Sequence, residues 1–228
     1  YNAGHGLPFD SEGMKERYPD IFFSQFTGAE LVADKWNLSR EDLDQFALES
    51  HQKAAQATES KYFDKEILPV EGKNAEGIND LVMADEGIRF DASLDKLSGL
   101  NPVTEGGKIT AGNASQITDG AAAVLICNDA GLKKIKSNPR AEIVSISVVG
   151  DDPVFMLTGP IPASHKALDI AKLSIEDMDI YEVNEAFAPV PLAWAAELQA
   201  DRNKLNVNGG AMALGHPLGA TGAKLMTT

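Results

Sequence analysis

Hydrophobic residues at helical spacing predict a helix in the first part of the chain. Thr27 and Glu30 have the spacing of a capping box, in which two side chains satisfy the free backbone groups at a helix start. Leu31, Val32 and Trp36 follow on one side of the predicted helix. The pattern therefore indicates an amphipathic helix that begins near Thr27.

A second, longer helix is predicted at about residues 40–58. Ser39 and Asp42 repeat the capping-box spacing at its start. The apolar side chains that recur at helical spacing after it are Leu43, Phe46, Ala47, Ala54 and Ala55. His51 has mostly polar neighbours along the sequence, so we expect it on the surface.

Short apolar runs predict strands between further helices. The predicted strands are residues 67–70, 121–127, 143–149, 179–183 and 205–208. Helices are predicted at about 162–173, where His165 is expected to be exposed, and at 188–199. This β-α order favours a largely parallel sheet, in which ligands collect at the carboxyl ends of the strands. Asn184 and the loop that follows residue 208 lie at such ends.

The remaining segments are predicted to be less regular. Residues 1–26, with His5, and residues 71–79 are expected to be loops, and residues 84–104 to be irregular around a short helix at 94–97. Residues 113–120 are predicted to begin a helix. The polar connector 129–140 is the best candidate for a boundary between two halves of the chain.

Composition and charge argue against several kinds of partner and site. The chain has 228 residues and a net charge of −14, which argues against nucleic acid or an anionic membrane surface as a partner. No apolar run reaches the roughly 18 residues of a membrane-spanning helix. The one cysteine, Cys127, excludes an internal disulfide and a multi-cysteine metal site. Because Cys127 ends an apolar run, we expect a buried, structural thiol.

The residues 206–222 contain five glycines and a single histidine, His216, between Gly215 and Pro217. Proline fixes its own φ and disfavours the helical region for the residue before it, so the imidazole is held on a short turn. Imidazole titrates near neutral pH, which suits acid–base chemistry. From these residues alone, a glycine-rich turn with an exposed histidine and a catalytic loop both remain open. A phosphate-binding loop is disfavoured, because no Lys-Ser/Thr pair follows the glycines.

Three motifs in the same order resemble the thiolase family: residues 110–115 (TAGNAS), 184–188 (NEAFA) and 206–222, with its Gly-His-Pro. The resemblance extends from residues 2–8 to the end of the chain. It implies an α/β thiolase fold with αβαβα layers, here incomplete. The implied parts are a loop domain over the acyl-CoA site at 1–105, the end of the N-terminal half at 106–135, and a truncated C-terminal half at 136–228. Both ends are expected to be cut, since no Met begins the chain and no stop signal follows its final helical run.

The resemblance implies a transferase that cleaves 3-oxoacyl-CoA with CoA, or forms it by Claisen condensation from acetyl-CoA. In this comparison His216 activates a cysteine nucleophile and donates to the thioester oxygen, while Asn184 holds a water that completes the oxyanion hole. The resemblance assigns CoA contacts to Ser115, Ala111, Ala186 and Phe187, and an adenine contact to Arg89. Both cysteines that the family needs are expected outside these 228 residues, so the chain alone is predicted to be inactive.

The resemblance leaves the acyl group open. Gln25-Phe26 precede Thr27, and Val103 follows Asn101-Pro102, where many family members have other residues facing the substrate. We expect degradation of fatty or sterol-like 3-oxoacyl-CoA in β-oxidation. A short-chain biosynthetic acetoacetyl-CoA thiolase and a non-catalytic CoA-binding relative are the alternatives.

The resemblance also implies the substrates, the oligomeric state and the location of the protein. CoA and acyl-CoA are expected as substrates, without a metal or cofactor. We expect a homodimer or homotetramer in the cytoplasm, with no nucleic acid or membrane partner. An organellar targeting segment ahead of Tyr1 remains open.

Overall fold

The computed structural model describes residues 9–73 and 77–228. The helices in these ranges are α1 (Glu12–Arg17), α2 (Gln25–Lys35), α3 (Arg40–Glu59), α4 (Leu94–Ser98), α5 (Asp129–Ile135), α6 (Pro160–Ala171), α7 (Pro189–Leu198), α8 (Ala211–Leu214) and α9 (Thr221–Thr227). Short 3-10 turns span Tyr62–Lys65, Ile175–Asp177 and Arg202–Lys204. His5 and the motif at residues 2–8 lie outside the described residues.

Helix α3 forms as predicted and is the centre of the packing. The backbone N–H of Ser39 donates to the Asp42 carboxylate at 2.8 Å, and the Asp42 N–H donates to the Ser39 hydroxyl at 3.1 Å. This capping box satisfies N–H groups that have no partner inside the helix. The helix buries an apolar face that includes Leu43 and Ala47, and it packs against α8 and α4.

Helix α2 begins two residues earlier than predicted, and the predicted capping box at Thr27 is wrong. Ser24 precedes the helix, so Thr27 lies inside its first turn. Glu30 has a different role: its carboxylate accepts from the backbone N–H groups of Lys108 and Ile109, each at 2.9 Å. Glu30 thereby ties the segment that leads into residues 110–115 to α2.

Helix α7 is apolar apart from Glu197 and is buried over most of its surface, as expected for a helix with neighbours on several sides. Its buried residues include Val190, Leu192, Trp194 and Leu198, and it packs against α2 and α6. Each such side chain contributes about 1.5–3 kcal/mol on burial. The helices predicted at 162–173 and 188–199 thus form as α6 and α7, and the short helix expected near Leu94 forms as α4.

The strand predictions at 121–127 and 143–149 are wrong in this structure. Both segments lack regular secondary structure, with Leu125 78% exposed and Val148 81% exposed. Cys127 is exposed as well, which contradicts its expected burial. A strand is held by hydrogen bonds to a neighbouring strand, and the described residues provide no such neighbour for either segment.

The sheet hydrogen bonds that do form are few. The strands β1 (Val70–Lys73) and β2 (Asn79–Val82) pair antiparallel. The strand predicted at 67–70 is therefore wrong except at Val70, and residues 71–73 and 79 of the predicted polar loop lie in strands. Of the predicted parallel pair at 179–183 and 205–208, a parallel bridge between Tyr181 and Leu205 is present. No described helix is long and apolar enough to cross a membrane.

Other local predictions also need correction. Residues 1–26 include helix α1, and residues 113–120 form no helix. The polar connector 129–140 contains α5, and the boundary between two halves of the chain at this connector stays a prediction. His51 is 6% exposed rather than on the surface, and its Nδ1 accepts from the Arg89 N–H at 3.1 Å. Burial, with the Arg89 charge as a second cause, lowers the pKa of His51. His165 is exposed as predicted.

Candidate functional site

The loop that carries His216 lies between α8 and α9 and is shaped by Gly215. Gly215 has a φ of +81°, which strains other residues, and a Cβ at this position would overlap with the Thr118 hydroxyl. The His216 backbone N–H donates to the Gln116 carbonyl at 3.3 Å. Close approach to residues 116–118 therefore fixes the backbone from which the imidazole projects.

Both ring nitrogens of His216 have polar neighbours. Nδ1 lies 2.6 Å from the Thr221 hydroxyl oxygen, and Nε2 lies 3.4 Å from the side-chain nitrogen of Asn184. The Thr221 hydroxyl in turn donates to the Pro217 carbonyl at 3.0 Å. Burial, followed by the positive charge of Lys224, lowers the pKa of His216. A neutral imidazole at neutral pH is the form that accepts a proton.

Asn184 reaches His216 because two distant segments pair beside it. The Tyr181–Leu205 bridge is continued by Asn206, whose side chain accepts from the Val183 N–H at 2.8 Å and donates to the Val183 carbonyl at 2.9 Å. The Oδ1 atom of Asn184 is buried and has no hydrogen-bond partner among the described residues. The site thus presents a buried amide oxygen beside the histidine.

Glu185, the next residue, anchors the site from behind. Its buried carboxylate accepts from the Ser50 hydroxyl at 2.6 Å, the Asn206 amide at 2.8 Å and the Met212 N–H at 3.2 Å. Burial raises the pKa of Glu185, and these hydrogen bonds oppose that effect. A Cβ at Gly210 would overlap with the carboxylate, so a glycine is required at the close approach. Glu185 thereby joins α3, Asn206 and α8 around the two candidate catalytic side chains.

An open cleft of about 430 Å³ lies in front of His216. Its lining residues are Gln25, Phe26, Ala114, Ser115, Gln116, Ile117, Thr118, Asp119, Gly120, Ala186, Phe187, His216, Pro217 and Leu218. The Ser115 N–H donates to the Ala186 carbonyl at 2.9 Å, which joins the first two sequence motifs in one wall. Phe26 packs edge-on against Phe187 with ring centres 5.4 Å apart.

The structure brings most of the predicted site residues together. Ser115, Ala186, Phe187 and His216 line the cleft, and Asn184 contacts His216. Ala111 and Arg89 do not line it; both are exposed.

Sequence reasoning missed three supporting side chains. Thr221 bonds the His216 ring, and the Gln116 amide donates to the carbonyls of Gly87 and Met212 at 2.7 and 2.8 Å. The Lys224 ammonium lies 3.1 Å from the Leu214 carbonyl and 3.4 Å from that of Gly215. For Thr221 and Lys224 the available signal was their spacing: three positions apart in the final helical run of the chain, they lie on one face of a helix.

Comparison with known proteins supports the resemblance of the sequence motifs to those of thiolases. The family model described as "Thiolase, N-terminal domain" matches residues 11–130, and "Thiolase, C-terminal domain" matches residues 137–228. A steroid 3-ketoacyl-CoA thiolase of Mycobacterium tuberculosis is 52% identical over 96% of this chain and 52% of its own length. A mitochondrial 3-ketoacyl-CoA thiolase of Rattus norvegicus is 46% identical over 86% of this chain and 50% of its own length.

Solved structures agree with the sequence matches. The crystal structure of human mitochondrial 3-ketoacyl-CoA thiolase has a TM-score of 0.84 and 44% identity, over 88% of this chain and 50% of that one. The Bacillus anthracis acetyl-CoA acetyltransferase has a TM-score of 0.86 and 40% identity, over 92% and 53%. The chain spans about half the length of the curated relatives it matches.

Proposed function

The chain belongs to the thiolase family and has its α/β fold, and we propose that the natural protein is a 3-ketoacyl-CoA thiolase of β-oxidation. The observation that carries this proposal is the pairing of His216 with Asn184 at 3.4 Å beside the cleft. The names of the relatives support the reaction class: transfer of an acyl group to CoA.

In this proposal His216 is the proton acceptor for a cysteine thiol that the rest of the protein supplies. The resulting thiolate attacks the 3-oxo carbon of the acyl-CoA, the bond between C2 and C3 breaks, and the C2 carbanion takes a proton from the second cysteine that the family needs and leaves as acetyl-CoA. That second cysteine, now a thiolate, takes the proton of the CoA thiol. The CoA sulfur attacks the acyl-cysteine thioester, the shortened acyl-CoA is released, and the first cysteine leaves as a thiolate. A thiolate is the reactive form of cysteine, so a neutral imidazole close by is what the first step needs.

In this proposal Asn184 helps to stabilise the negative charge that forms on the thioester oxygen. A neutral amide can hold a water by hydrogen bonds without repelling that charge, whereas a carboxylate would oppose it. The buried, unpaired Oδ1 of Asn184 offers an acceptor for such a water. His216, once protonated at Nε2, donates to the same oxygen.

The cleft wall suggests how the CoA thioester is held. The Ser115 hydroxyl can donate to and accept from the amides of the pantetheine arm, and Ala186 leaves room for that arm. The proposed contacts of Ala111 with the pantetheine and of Arg89 with the adenine rest on the sequence resemblance. The crystal structure of the human enzyme in complex with CoA, with a TM-score of 0.81, supports CoA as a ligand.

We propose that the substrate is a 3-oxoacyl-CoA with a bulky apolar acyl group, of the fatty or sterol side-chain type. Phe26, Phe187 and Leu218 are apolar residues that line the cleft, and Leu218 is 82% exposed. The 52% identical relative is named for a steroid substrate. A short-chain acetoacetyl-CoA thiolase is the second candidate, supported by the TM-score of 0.86 with an acetyl-CoA acetyltransferase.

We also propose a location, a subunit number and a cofactor requirement for the enzyme. We place the enzyme in the cytoplasm as a homodimer or homotetramer, with catalysis that needs no metal or other cofactor. Bacterial relatives support the first point, although the rat relative is named mitochondrial. Treatment with a chelator should leave the rate unchanged, and gel filtration with light scattering should give the subunit number.

The test is thiolysis by the natural full-length protein with three substrates: acetoacetyl-CoA, a medium-chain 3-oxoacyl-CoA and a 3-oxo sterol side-chain CoA. We expect the highest kcat/KM with one of the last two, and His216→Ala should lower kcat at least about a hundredfold. His165→Ala, on the exposed side of α6, is the matched control and should leave kcat unchanged. CoA binding without turnover of any substrate would instead favour the non-catalytic relative.

A further inference from the structure

The side chains of Thr221 and Lys224 lie on successive turns of α9, directly behind the loop that carries His216. Thr221 is 7% exposed and bonds the imidazole Nδ1 at 2.6 Å. Lys224 lies 3.1 Å from the Leu214 carbonyl and 3.4 Å from the Gly215 carbonyl. One residue thus holds the ring, and the other holds the backbone just before it.

The direction of the Thr221 hydrogen bonds decides which tautomer His216 adopts. A hydroxyl has one proton, and the Thr221 hydroxyl donates it to the Pro217 carbonyl at 3.0 Å. Its oxygen is then left to accept, so the His216 Nδ1 must carry the proton in this hydrogen bond. In a neutral ring the other nitrogen, Nε2, is then unprotonated, and its lone pair accepts from the side-chain nitrogen of Asn184 at 3.4 Å.

The charge of Lys224 acts on the same ring. An ammonium close to an imidazole disfavours the imidazolium, and Lys224 is the charged group that contributes to the lowered pKa of His216. Burial lowers the pKa of Lys224 itself, while Asp85, Glu185 and Glu182 favour its charged form.

The other titratable groups near His216 lie on three different segments. Glu182 and Glu185 flank Asn184, Asp119 lies on the cleft wall, and Asp85 faces Lys224. None of these carboxylates is among the causes of the His216 shift.

We infer that Thr221 and Lys224 are positioning residues that keep His216 as the neutral tautomer with a proton on Nδ1 and an unprotonated Nε2. The consequence for the reaction rests on the proposed function: Nε2 is then always ready to take the thiol proton. Thr221 selects the nitrogen, while Lys224 holds the loop and adds its charge to burial in favouring the uncharged ring.

The first test measures the tautomer without any substrate. In the natural full-length protein labelled with 15N-histidine, we expect the imidazole shifts of His216 to show a protonated Nδ1 and an unprotonated Nε2. Thr221→Val removes the hydroxyl at nearly constant shape and should shift the ring towards the Nε2–H tautomer, whereas Thr221→Ser should keep the original tautomer. A predominantly Nε2–H ring in the unsubstituted protein would overturn the inference, even if the valine variant fails to fold.

The second test separates charge from packing. Lys224→Met keeps an unbranched side chain but removes the ammonium, so the pKa of His216 should rise by about half a pH unit or more. The acidic limb of the pH–rate profile should move to higher pH by the same amount. Lys224→Arg retains the charge and should leave the limb in place. An unmoved His216 pKa in the methionine variant would contradict the role assigned to Lys224.

The third test compares the steady-state kinetics of the Thr221 variants with their histidine spectra. Thr221→Val should lower kcat by about 10- to 100-fold with KM little changed; the loss is smaller than the roughly 10⁴-fold seen when a serine-protease triad loses its orienting carboxylate. Thr221→Ser should restore most of kcat. If the unsubstituted protein has the expected tautomer but no thiolysis, the proposed function fails and the structural inference stands. If thiolysis is normal but the valine variant retains both tautomer and kcat, the inference fails alone.

Discussion

The Nε2 atom of His216 lies 3.4 Å from the side-chain nitrogen of Asn184, although 32 positions separate the two residues. The contact depends on the parallel bridge between Tyr181 and Leu205, which sets the ends of two extended segments side by side. Neither residue is informative alone, since each is an ordinary loop or strand-end residue. Their contact beside the cleft that His216 lines gives the two motifs a common chemical meaning.

The first prediction concerns the charge at position 184. In the natural full-length protein Asn184→Asp should lower kcat by at least about a hundredfold, because a carboxylate would repel the oxyanion of the proposed reaction. The same carboxylate should raise the pKa of His216 by stabilising the imidazolium. Steady-state thiolysis across pH measures both effects. Asn203→Asp, on an exposed 3-10 turn, is the control and should change neither.

The second prediction concerns Cys127, the one cysteine of these 228 residues. It is exposed and does not line the cleft, so we expect no acyl transfer through it. Cys127→Ser in the natural full-length protein should leave kcat unchanged. The isolated 228-residue polypeptide should neither cleave acetoacetyl-CoA nor become acetylated by acetyl-CoA, as mass spectrometry would show. An acetyl group found on Cys127 that requires His216 would contradict this view.

A third prediction follows from Glu182. Burial, with Glu185 as a second cause, raises the pKa of Glu182 to about 7 from its usual 4.5. Because the folded state favours the protonated carboxyl, its stabilising effect is complete below about pH 4.5 and is lost as the pH rises through 7. The loss amounts to about 2 kcal/mol after allowance for partial exposure.

Glutamine imitates the protonated carboxyl, so Glu182→Gln should remove this part of the pH dependence. Urea unfolding of the natural full-length protein at pH 5 and pH 8 gives the two free energies of unfolding. Their difference should shrink by about 2 kcal/mol in the variant. Glu176→Gln, in an exposed 3-10 turn, should leave the difference as it is. An equal effect of both substitutions would show that the buried position of Glu182 is not the cause.

The helices were predictable because their signals are local. Ser39 and Asp42 cap α3 by contacts within four residues, and the apolar face behind them has a clear period. The capping prediction failed at Thr27, where the same spacing occurs inside a helix. There Glu30 is engaged by the backbone of residues 108–109, about 80 positions away, which no local pattern could indicate.

Burial and the supporting residues of the site depend on distant contacts in the same way. The sequence around His51 is polar, yet its ring is buried and bonded to the backbone of Arg89. The motifs identified His216 and Asn184, but Glu185 was not predicted to anchor Asn206 and Met212, and Thr221 was not predicted to bond the imidazole. These roles depend on which loops meet, and that is decided by the whole fold.

The last prediction concerns the apolar surface of the 228-residue polypeptide. The segments 121–127 and 143–149 expose Leu125, Ile146 and Val148 at 78%, 70% and 81%. Exposed apolar runs that lack a neighbouring strand favour association with another chain. We therefore expect the isolated polypeptide to bind a hydrophobic dye and to self-associate in gel filtration, while the natural full-length protein does neither.

A matched variant tests whether these segments are the cause. Replacing Val144, Ile146 and Val148 with threonine keeps the β-branched shape but adds a hydroxyl to each exposed side chain. Dye binding and self-association of the isolated polypeptide should fall together in this variant. The comparison is a second variant, in which threonine replaces three other exposed residues in or beside β1 and β2: Leu68, Val70 and Leu81. A monodisperse, dye-free polypeptide with a sharp thermal transition would mean that the exposed runs are tolerated in a stable domain.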